Sequence, residues 1–550
     1  MSQRVETPEK AAQQSAAPAS AWSALHYKVF RYLWLATLVS NVGSWMYNAA
    51  SGWLMTSLEP SALIVSMVQV ANSLPLFLFA LPAGAFADMI DKRRLILALE
   101  ILTTLFSALF AWLVTVHAVT PAVLLFFTFL VGTLAALETP AWQAIVPLLV
   151  PKQALSSAVA VNSVGINISR VLGPALTGVV ILSLGIAAPF WLDAVSNLGV
   201  IAVIYWWCPP AKPARALPAE QLMGALRAGL RYARYNTRLR ATLARSVGFF
   251  LFASAYWALL PVVASNQLHG GPTLYGILLG AIGVGAVGGA LLLPRAPGRA
   301  GPDGVVVRGE VLNAVALVLF GLAHHPWLAV LACLIAGVAW IAVLASLNVS
   351  AQVALPEWVR GRGLAVYVTV FFGTMTVGSA LWGFLGERLG LPAAHYLAAA
   401  GALLGLLATR RWKLYSGPEA DLTPSMHWPE PVLAGGVEED AGPVLVTIEY
   451  QVAPENRAAF LAALERLGRE RRRDGAYAWN VFQDAADPQR ILETWLVDSW
   501  LDHLRQHRRV TKADRQVEEH ANQLAVGQAR ITHYIAAEIR PLPRPPDAGE

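Results

Sequence analysis

Uncharged apolar runs alternate with short polar turns over most of the chain. No charged residue occurs from Tyr32 to Leu58, nor from Ser61 to Ala87. Each run exceeds the roughly 20 residues that a helix needs to cross a bilayer core. Further runs at Leu95–Val116, Ala122–Val146, Ala154–Leu184 and Ala188–Trp207 complete a first set. A polar, Arg-rich stretch follows, with an amphipathic segment at Leu222–Tyr235. The second set comprises Ser246–Leu268, Thr273–Leu293, Val306–Ala323, Trp327–Leu355, Gly363–Gly386 and Leu389–Thr409. The pattern predicts about twelve spanning helices in two parallel six-helix repeats. The divisions are 29–208 and 246–412 for the two halves, with a central loop at 209–245. Residues 1–28 read as a disordered N-terminal tail, polar at Met1–Ser20 and without a signal peptide's apolar core.

After Lys413 the pattern changes. Residues 413–443 read as a Pro- and Gly-rich acidic linker. Strands are then expected at Val444–Val452, Tyr477–Gln483, Arg490–Val497 and Ala529–Ala536, with helices at Pro454–Arg473 and Trp500–Leu524. This βαββαβ order predicts a ferredoxin-like α+β domain over 444–540, followed by a disordered tail at 541–550.

Composition agrees with a lipid solvent. Of the 550 residues, 56% are hydrophobic and 14% charged, with mean hydropathy +0.50. Soluble domains average about 25% charged residues. A net charge of +6 raises the question of nucleic acid, but the cations cluster beside the apolar runs and not on one surface. Lys92, Arg93, Arg94, Lys152, Arg227, Arg231, Arg360, Arg362, Arg410 and Arg411 lie in one set of loops. The alternate loops hold almost none, Arg388 beside Glu387 being the exception. The positive-inside rule therefore predicts a multi-pass protein of the inner (plasma) membrane with both termini cytoplasmic. Cys208 and Cys333 read as buried free thiols. No Gly-x-x-x-x-Gly-Lys-Ser/Thr loop is present, so ATP is not the expected energy source.

The loop Gly84–Arg94, Gly-Ala-Phe-Ala-Asp-Met-Ile-Asp-Lys-Arg-Arg, is denser in charge than a turn between two spans needs. Gly84 and Asp88 fall one helical turn apart on one face. Gly84 suits a close backbone approach, and Asp88 suits a helix N-terminus or a cation at the water boundary. The stretch resembles the signature loop between the second and third helices of the major facilitator superfamily. Gly84, Asp88, Asp91, Arg93 and Arg94 match it, while Met89 replaces a common Arg. The resemblance implies a gating loop in a secondary transporter working by alternating access. The halves echo each other at Gln143-x-x-x-Pro147 and Gln352-x-x-x-Pro356. The second-half counterpart of the loop, Gly289–Arg299, is degenerate.

The fifth span contains Arg170, Gly173, Pro174 and Gly178. Gly-Pro invites a kink, and the glycines allow close packing. The segment resembles the antiporter signature of major facilitator exporters, which implies a seal against leak. Arg170 needs a partner inside the membrane, and Asp193 at similar depth is the first choice. Glu138, Asp193 and Glu100 are candidate proton or charge sites, with Glu138 and Glu100 read as separate acids. A static ion pair is the competing reading for Asp193. Asn41, Trp45, Asn48, Gln69 and Asn72 suit a cavity for an amphipathic molecule, or equally contacts between helices. His269, His324 and His325 lack ligand spacing, and no metal or cofactor is expected.

The C-terminal domain resembles the antibiotic-biosynthesis monooxygenase type, which implies dimerisation through its sheet. Asn480, Trp495, His503 and His507 suggest cofactor-free oxidation chemistry, although the two histidines read more simply as a solvated helix face. Such a tail is found on the subgroup of major facilitator proteins resembling the enterobactin exporter. The resemblance implies a transporter and not an enzyme, with a small hydrophobic or amphipathic substrate (drug, siderophore or metabolite), protons and the bilayer as partners. The alternative is a membrane-tethered oxidoreductase or ligand sensor acting through the C-terminal domain.

Overall fold

The computed structural model describes residues 22–208, 222–292, 301–414, 421–428, 438 and 440–537. Of the expected disordered tail at 1–28, residues 1–21 lie outside those residues, whereas Ser23–His26 form a short helical turn with Ala24 buried in a core cluster, which corrects that part of the reading. The tail at 541–550, positions 209–221 of the expected central loop and positions 293–299 of the degenerate motif also lie outside them. The chain forms two compact units, one of 1–222, 241–350 and 364–416, the other of 223–240, 351–363 and 417–550.

The first unit is helical. Its first half contains α1 (Lys28–Leu58), α2 (Ala62–Met89), α3 (Lys92–Thr115), α4 (Pro121–Leu149), α5 (Leu155–Leu184) and α6 (Ala188–Trp206). After the amphipathic α7 (Leu222–Tyr235), the second half contains α8 (Thr237–Val262), α9 (Pro272–Leu292), α10 (Gly301–Leu322), α11 (Pro326–Val353), α12 (Arg360–Leu389) and α13 (Leu391–Thr409). With no water to satisfy peptide groups in lipid, each segment closes its own backbone hydrogen bonds as helix. Among the described residues, eleven helices are long and apolar enough to cross a membrane. The twelfth long helix, α1, has 31 residues but is made more polar by Asn41, Ser44 and Asn48.

Small residues set the closest approaches, because lipid supplies no hydrophobic drive between helices and contact must come from packing. A Cβ on Gly43 of α1 would lie 2.6 Å from Ser196 Oγ and 3.0 Å from Asp193 Cα on α6. Between the halves, a Cβ on Gly178 of α5 would lie 2.7 Å from the Pro272 carbonyl oxygen at the start of α9. Further contacts join the halves at that same end. Trp53 stacks on Tyr275 with centroids 5.9 Å apart. Asn266 Nδ2 donates to the Pro60 carbonyl at 3.2 Å. Glu387 Oε2 accepts from Ser61 Oγ at 2.9 Å and from the Ala62 amide at 2.8 Å, capping α2 from the C-terminal turn of α12. In the second half, the buried Arg245 meets Asp303 at 2.9 Å and Glu310 at 3.7 Å. Cys333 is buried but Cys208 is exposed, because it stands just past the end of α6; only one of the expected buried thiols is found.

The second unit contains β1 (Val444–Gln451), α14 (Arg457–Asp474), β2 (Ala478–Gln483), β3 (Arg490–Val497), α15 (Trp500–Arg509), α16 (Lys512–Leu524) and β4 (Val526–Ile535). Its antiparallel sheet runs β2-β3-β1-β4. Alternate residues of β1 (Val444, Val446, Ile448, Tyr450) are buried with Phe460, Leu464, Leu467 and Trp495. The single helix expected over Trp500–Leu524 is two, because Thr511 and Asp514 form a capping box that starts a new helix. Part of the expected linker is also built into the unit. Asp421 pairs with Lys512 at 3.1 Å, and Trp428 Nε1 donates to Glu518 Oε2 at 3.0 Å. Within this unit, α7 and residues 351–363 bear on the sheet domain. Arg473 lies 5.4 Å from the Tyr232 ring centroid, and Arg509 lies 4.6 Å from that of Trp358. Arg473 also pairs with Asp474 at 2.8 Å and Asp514 at 2.6 Å.

Two outcomes follow from this packing. Gly178→Ala forces a Cβ against backbone, so its thermal midpoint in detergent should fall by the equivalent of about 1–3 kcal/mol. Gly199→Ala, whose Cβ would meet only Ala36 Cβ at 3.7 Å, should leave the midpoint unchanged. In the second unit, burial pushes the Glu470 carboxyl up to about 8, with Asp514 adding and Arg473 opposing. Because this exceeds the unfolded value of about 4.3, the stabilisation from the protonated form is complete below that value. It is lost as pH rises through about 8. Hydrogen exchange of the β1 and α14 amides in the full chain should therefore accelerate from about pH 6 to pH 9, beyond the intrinsic chemical rate. Glu470→Gln should remove that excess.

Candidate functional site

The first half encloses a cavity of about 420 Å³ lined by residues of all six of its helices. The polar positions scattered through the apolar runs converge here. Asn41 and Asn48 come from α1, Asn72 from α2, Glu100 from α3, Glu138 and Gln143 from α4, Asn162 from α5, and Asp193 and Asn197 from α6. A polar side chain inside the hydrocarbon region is tolerated where it faces a cavity or another polar group, and the bundle satisfies that condition by turning these faces inward.

The three candidate acids are neighbours. Glu100, Glu138 and Asp193 all line this cavity, so the two glutamates read as separate sites share one enclosure with Asp193. They approach because α3 packs on both α4 and α6. Counted along their helices, Glu100, Glu138 and Asp193 lie roughly 12, 16 and 20 Å from the end bearing Lys92–Arg94. Asp193 is buried and accepts from two hydroxyls, Ser44 Oγ at 3.1 Å and Ser107 Oγ at 2.8 Å. One turn on, Asn197 Oδ1 accepts from Ser40 Oγ at 2.7 Å.

Arg170 does not pair with Asp193. Its guanidinium lies 5.5 Å from the Trp45 ring centroid, and among the described residues no ion pair joins it to a carboxylate. The hydroxyls of Ser44 and Ser107 take the place expected for the cation. The Trp45 face offers Arg170 a neutral partner. Trp45 thereby leaves the predicted cavity set, and Gln69 is not among the lining residues either, whereas Asn41, Asn48 and Asn72 are. Sequence reasoning missed Thr37, Ser40, Ser44, Thr103, Thr128, Trp142, Asn162 and Asn197. The available signal was small hydroxyl and amide residues recurring inside otherwise apolar spans.

The gating-loop residues divide. Asp91 Oδ1 accepts from the Arg94 amide at 3.0 Å and caps α3. Arg93 Nε donates to the Ile204 carbonyl at 3.0 Å, and its Nη2 donates to the Tyr205 carbonyl, which tethers the loop to the end of α6. Arg94 is exposed. The Asp88 side chain lies outside the described residues. Among the described residues a Cβ on Gly84 would meet nothing within 4 Å, so the close approach expected there is not found among them. In the antiporter-type helix, Gly173 is packed against α1 and Gly178 against α9.

The C-terminal oxidation constellation is not assembled. Asn480 is paired with Thr494, one position along from the Trp479–Trp495 pair. Successive strand residues face opposite ways, so exposed Asn480 and buried Trp495 lie on opposite faces. His503 is buried and only 1% exposed, which corrects its reading as part of a solvated face.

Comparisons with known proteins agree with this architecture. The family model described as transmembrane secretion effector matches residues 19–541. The staphyloferrin A transporter of Staphylococcus aureus is 24% identical, covering 66% of this chain and 90% of its own length. The multidrug efflux pump Tap of Mycolicibacterium fortuitum is 27% identical, covering 68% and 93%. The enterobactin exporter EntS of Citrobacter koseri is 26% identical, covering 69% and 91%. Among solved structures, a POT family transporter in complex with a thioalcohol-conjugated peptide matches with TM-score 0.57 and 12% identity, over 70% of this chain and 95% of that one. The nucleoside transporter NupG gives TM-score 0.53 and 12% identity, over 70% and 99%. The fold, the polar cavity within the bundle and the family match over residues 19–541 together make this chain a multi-pass secondary transporter of the major facilitator superfamily, belonging to its transmembrane secretion effector family.

Proposed function

We propose that this transporter exports a small hydrophobic or amphipathic compound, a drug, siderophore or metabolite, in exchange for protons. The observation that carries the reading is the single cavity in which Glu100, Glu138 and Asp193 meet amide and hydroxyl side chains. Carboxyl groups that share a cavity inside the membrane make Glu100 and Glu138 our candidates for taking up and releasing a proton, with Asp193 the next acid along the path. The efflux pump and the exporter among its relatives support export over import.

The loop cations support a cytoplasmic Lys92–Arg94 end, with about twelve spans and both termini on that side. On this topology, the contacts at Gly178, Trp53, Asn266 and Glu387 seal the outer end. The cavity-lining Trp142 and Gln143 lie toward the cytoplasmic end of α4. Alternating access then rocks the halves about the α5–α9 seam, with the loop through Asp88 as cytoplasmic latch. The sheet domain resembles the antibiotic-biosynthesis monooxygenase type. Exposed Phe482, Ile531 and Tyr534 on its edge strands support dimerisation through the sheet. A ligand-sensing role for that domain is the second reading, favoured by the contacts of Arg473 with Tyr232 on α7 and of Arg509 with Trp358.

In reconstituted vesicles, movement of siderophores, drugs or dyes should follow an imposed pH gradient. Glu138→Gln should reduce gradient-driven movement at least tenfold while leaving proton-independent exchange of substrate intact. Loss of both activities would make Glu138 a structural residue. Asp193→Asn keeps hydroxyl partners for its side chain and should fold normally. If its gradient-driven rate matches wild type, Asp193 has no part in coupling.

A further inference from the structure

The C-terminal unit contains a cluster that transport by the helical bundle does not use. His503 and His507 stand four residues apart on one face of α15. His533 lies on β4 in the row Trp495–Val446–His533 that crosses the sheet. The Nε2 atoms of His503 and His507 are 3.2 Å apart. One nitrogen from each of the three rings falls within 4.8 Å of the other two.

We propose that His503, His507 and His533 bind one divalent transition cation of the Zn²⁺ or Co²⁺ class, with a fourth position left open. Three observations carry this. First, metal–nitrogen bonds of about 2.0–2.1 Å in a tetrahedron set neighbouring nitrogens about 3.4 Å apart, close to the His503–His507 spacing. Second, the ligand atoms are all imidazole, with no carboxylate in the group. This set suits borderline transition ions and offers little to Mg²⁺ or Ca²⁺, which take oxygen ligands. Third, the position is walled but reachable. Trp500 packs on His503 and His533 with centroids 5.3 and 6.2 Å apart, and Trp428 packs on His507 at 5.0 Å. His507 and His533 remain half-buried, and β4 is an edge strand whose ladder is to β1. Binding a shared ion requires the His533 nitrogen to close from within 4.8 Å to about 3.4 Å of the other two.

Among the described residues, Arg471 is the cation whose charge reaches both His503 and His507 and would oppose a metal. Its charge is engaged by Glu518 at 3.5 Å and Glu493 at 3.7 Å, and it lies between the rings of Trp428 and Trp495, at 4.7 and 4.6 Å. On the far side of Arg471, His427 faces the same carboxylate of Glu518 at 3.5 Å. The ion would sit in the unit that also contains α7 and residues 351–363, so its occupancy would be felt by those segments.

The test uses the untagged full-length protein in detergent, stripped with a chelator and titrated with Co²⁺. Expected are visible d–d bands of tetrahedral strength that saturate at one ion per chain and are discharged by Zn²⁺. The thermal midpoint of the unit should rise with Zn²⁺ and fall again with chelator, since the ion binds the folded form. His507→Gln and His533→Gln should weaken Co²⁺ binding by roughly 100-fold or more. The control His324→Gln with His325→Gln should bind as wild type. A proton shared between His503 and His507 gives the same 3.2 Å spacing without any metal. Wild-type protein that shows no bands at stoichiometric Co²⁺, or bands unchanged in His507→Gln, would overturn the proposal without depending on how any variant folds.

Discussion

A polar group carried inside a lipid-crossing helix must find another polar group or a cavity, because the hydrocarbon offers it nothing. That constraint organises the first half of this molecule. Asp193, Asn197, Glu100 and Glu138 stand on three different helices, and each would be costly alone. Turned toward one another and toward the hydroxyls of Ser40, Ser44 and Ser107, they become the wall of one cavity. The rotation of α3, α4 and α6 about their own axes is set by this requirement as much as by shape.

The second constraint is close backbone approach. Helices in lipid gain little by hiding apolar side chains, so they associate where small residues let backbones meet. Gly43 joins α1 to α6 within the first half, and Gly178 joins α5 to α9 across the halves. The cross-half contact sits at the same end as the Glu387 cap on α2 and the Trp53–Tyr275 stack. Side-chain hydrogen bonding and small-residue packing therefore close one end of the bundle together. A transporter that alternates must break such a set as a group, and each member is weak enough alone to allow it.

The C-terminal unit solves a different problem. Its sheet is covered by α14, α15 and α16, yet the covered side includes Arg471, Asp474, Glu493 and Asp514, all nearly inaccessible. Buried charge is sustained only when paired and hydrogen-bonded, and here each cation lies between carboxylates and aromatic faces. The same unit takes in α7 and residues 351–363, so a helix and a loop flanking the second half share its contacts. Any ligand of the sheet domain acts on a unit that already contains those segments.

Much of this was legible in the chain. Apolar run length alone sets where the helices fall, because a bilayer core admits few other structures. Expected spans such as Ala154–Leu184 and Ala188–Trp207 match the observed helices within a residue. The strand Arg490–Val497 and the amphipathic Leu222–Tyr235 also appear as read, because periodicity is a local property. What failed were statements about partners. Arg170 meets Trp45 and not Asp193, Glu100 and Glu138 line one cavity, and Asn480 and Trp495 are divided by the sheet. Thr511 and Asp514 divide a helix that periodicity alone reads as continuous, and His503 turns inward. Hydropathy and spacing determine which segments cross or pair, through free energies summed along the local chain. Which side chains meet depends on helix rotation and strand register, and those are decided only when the whole bundle and sheet pack.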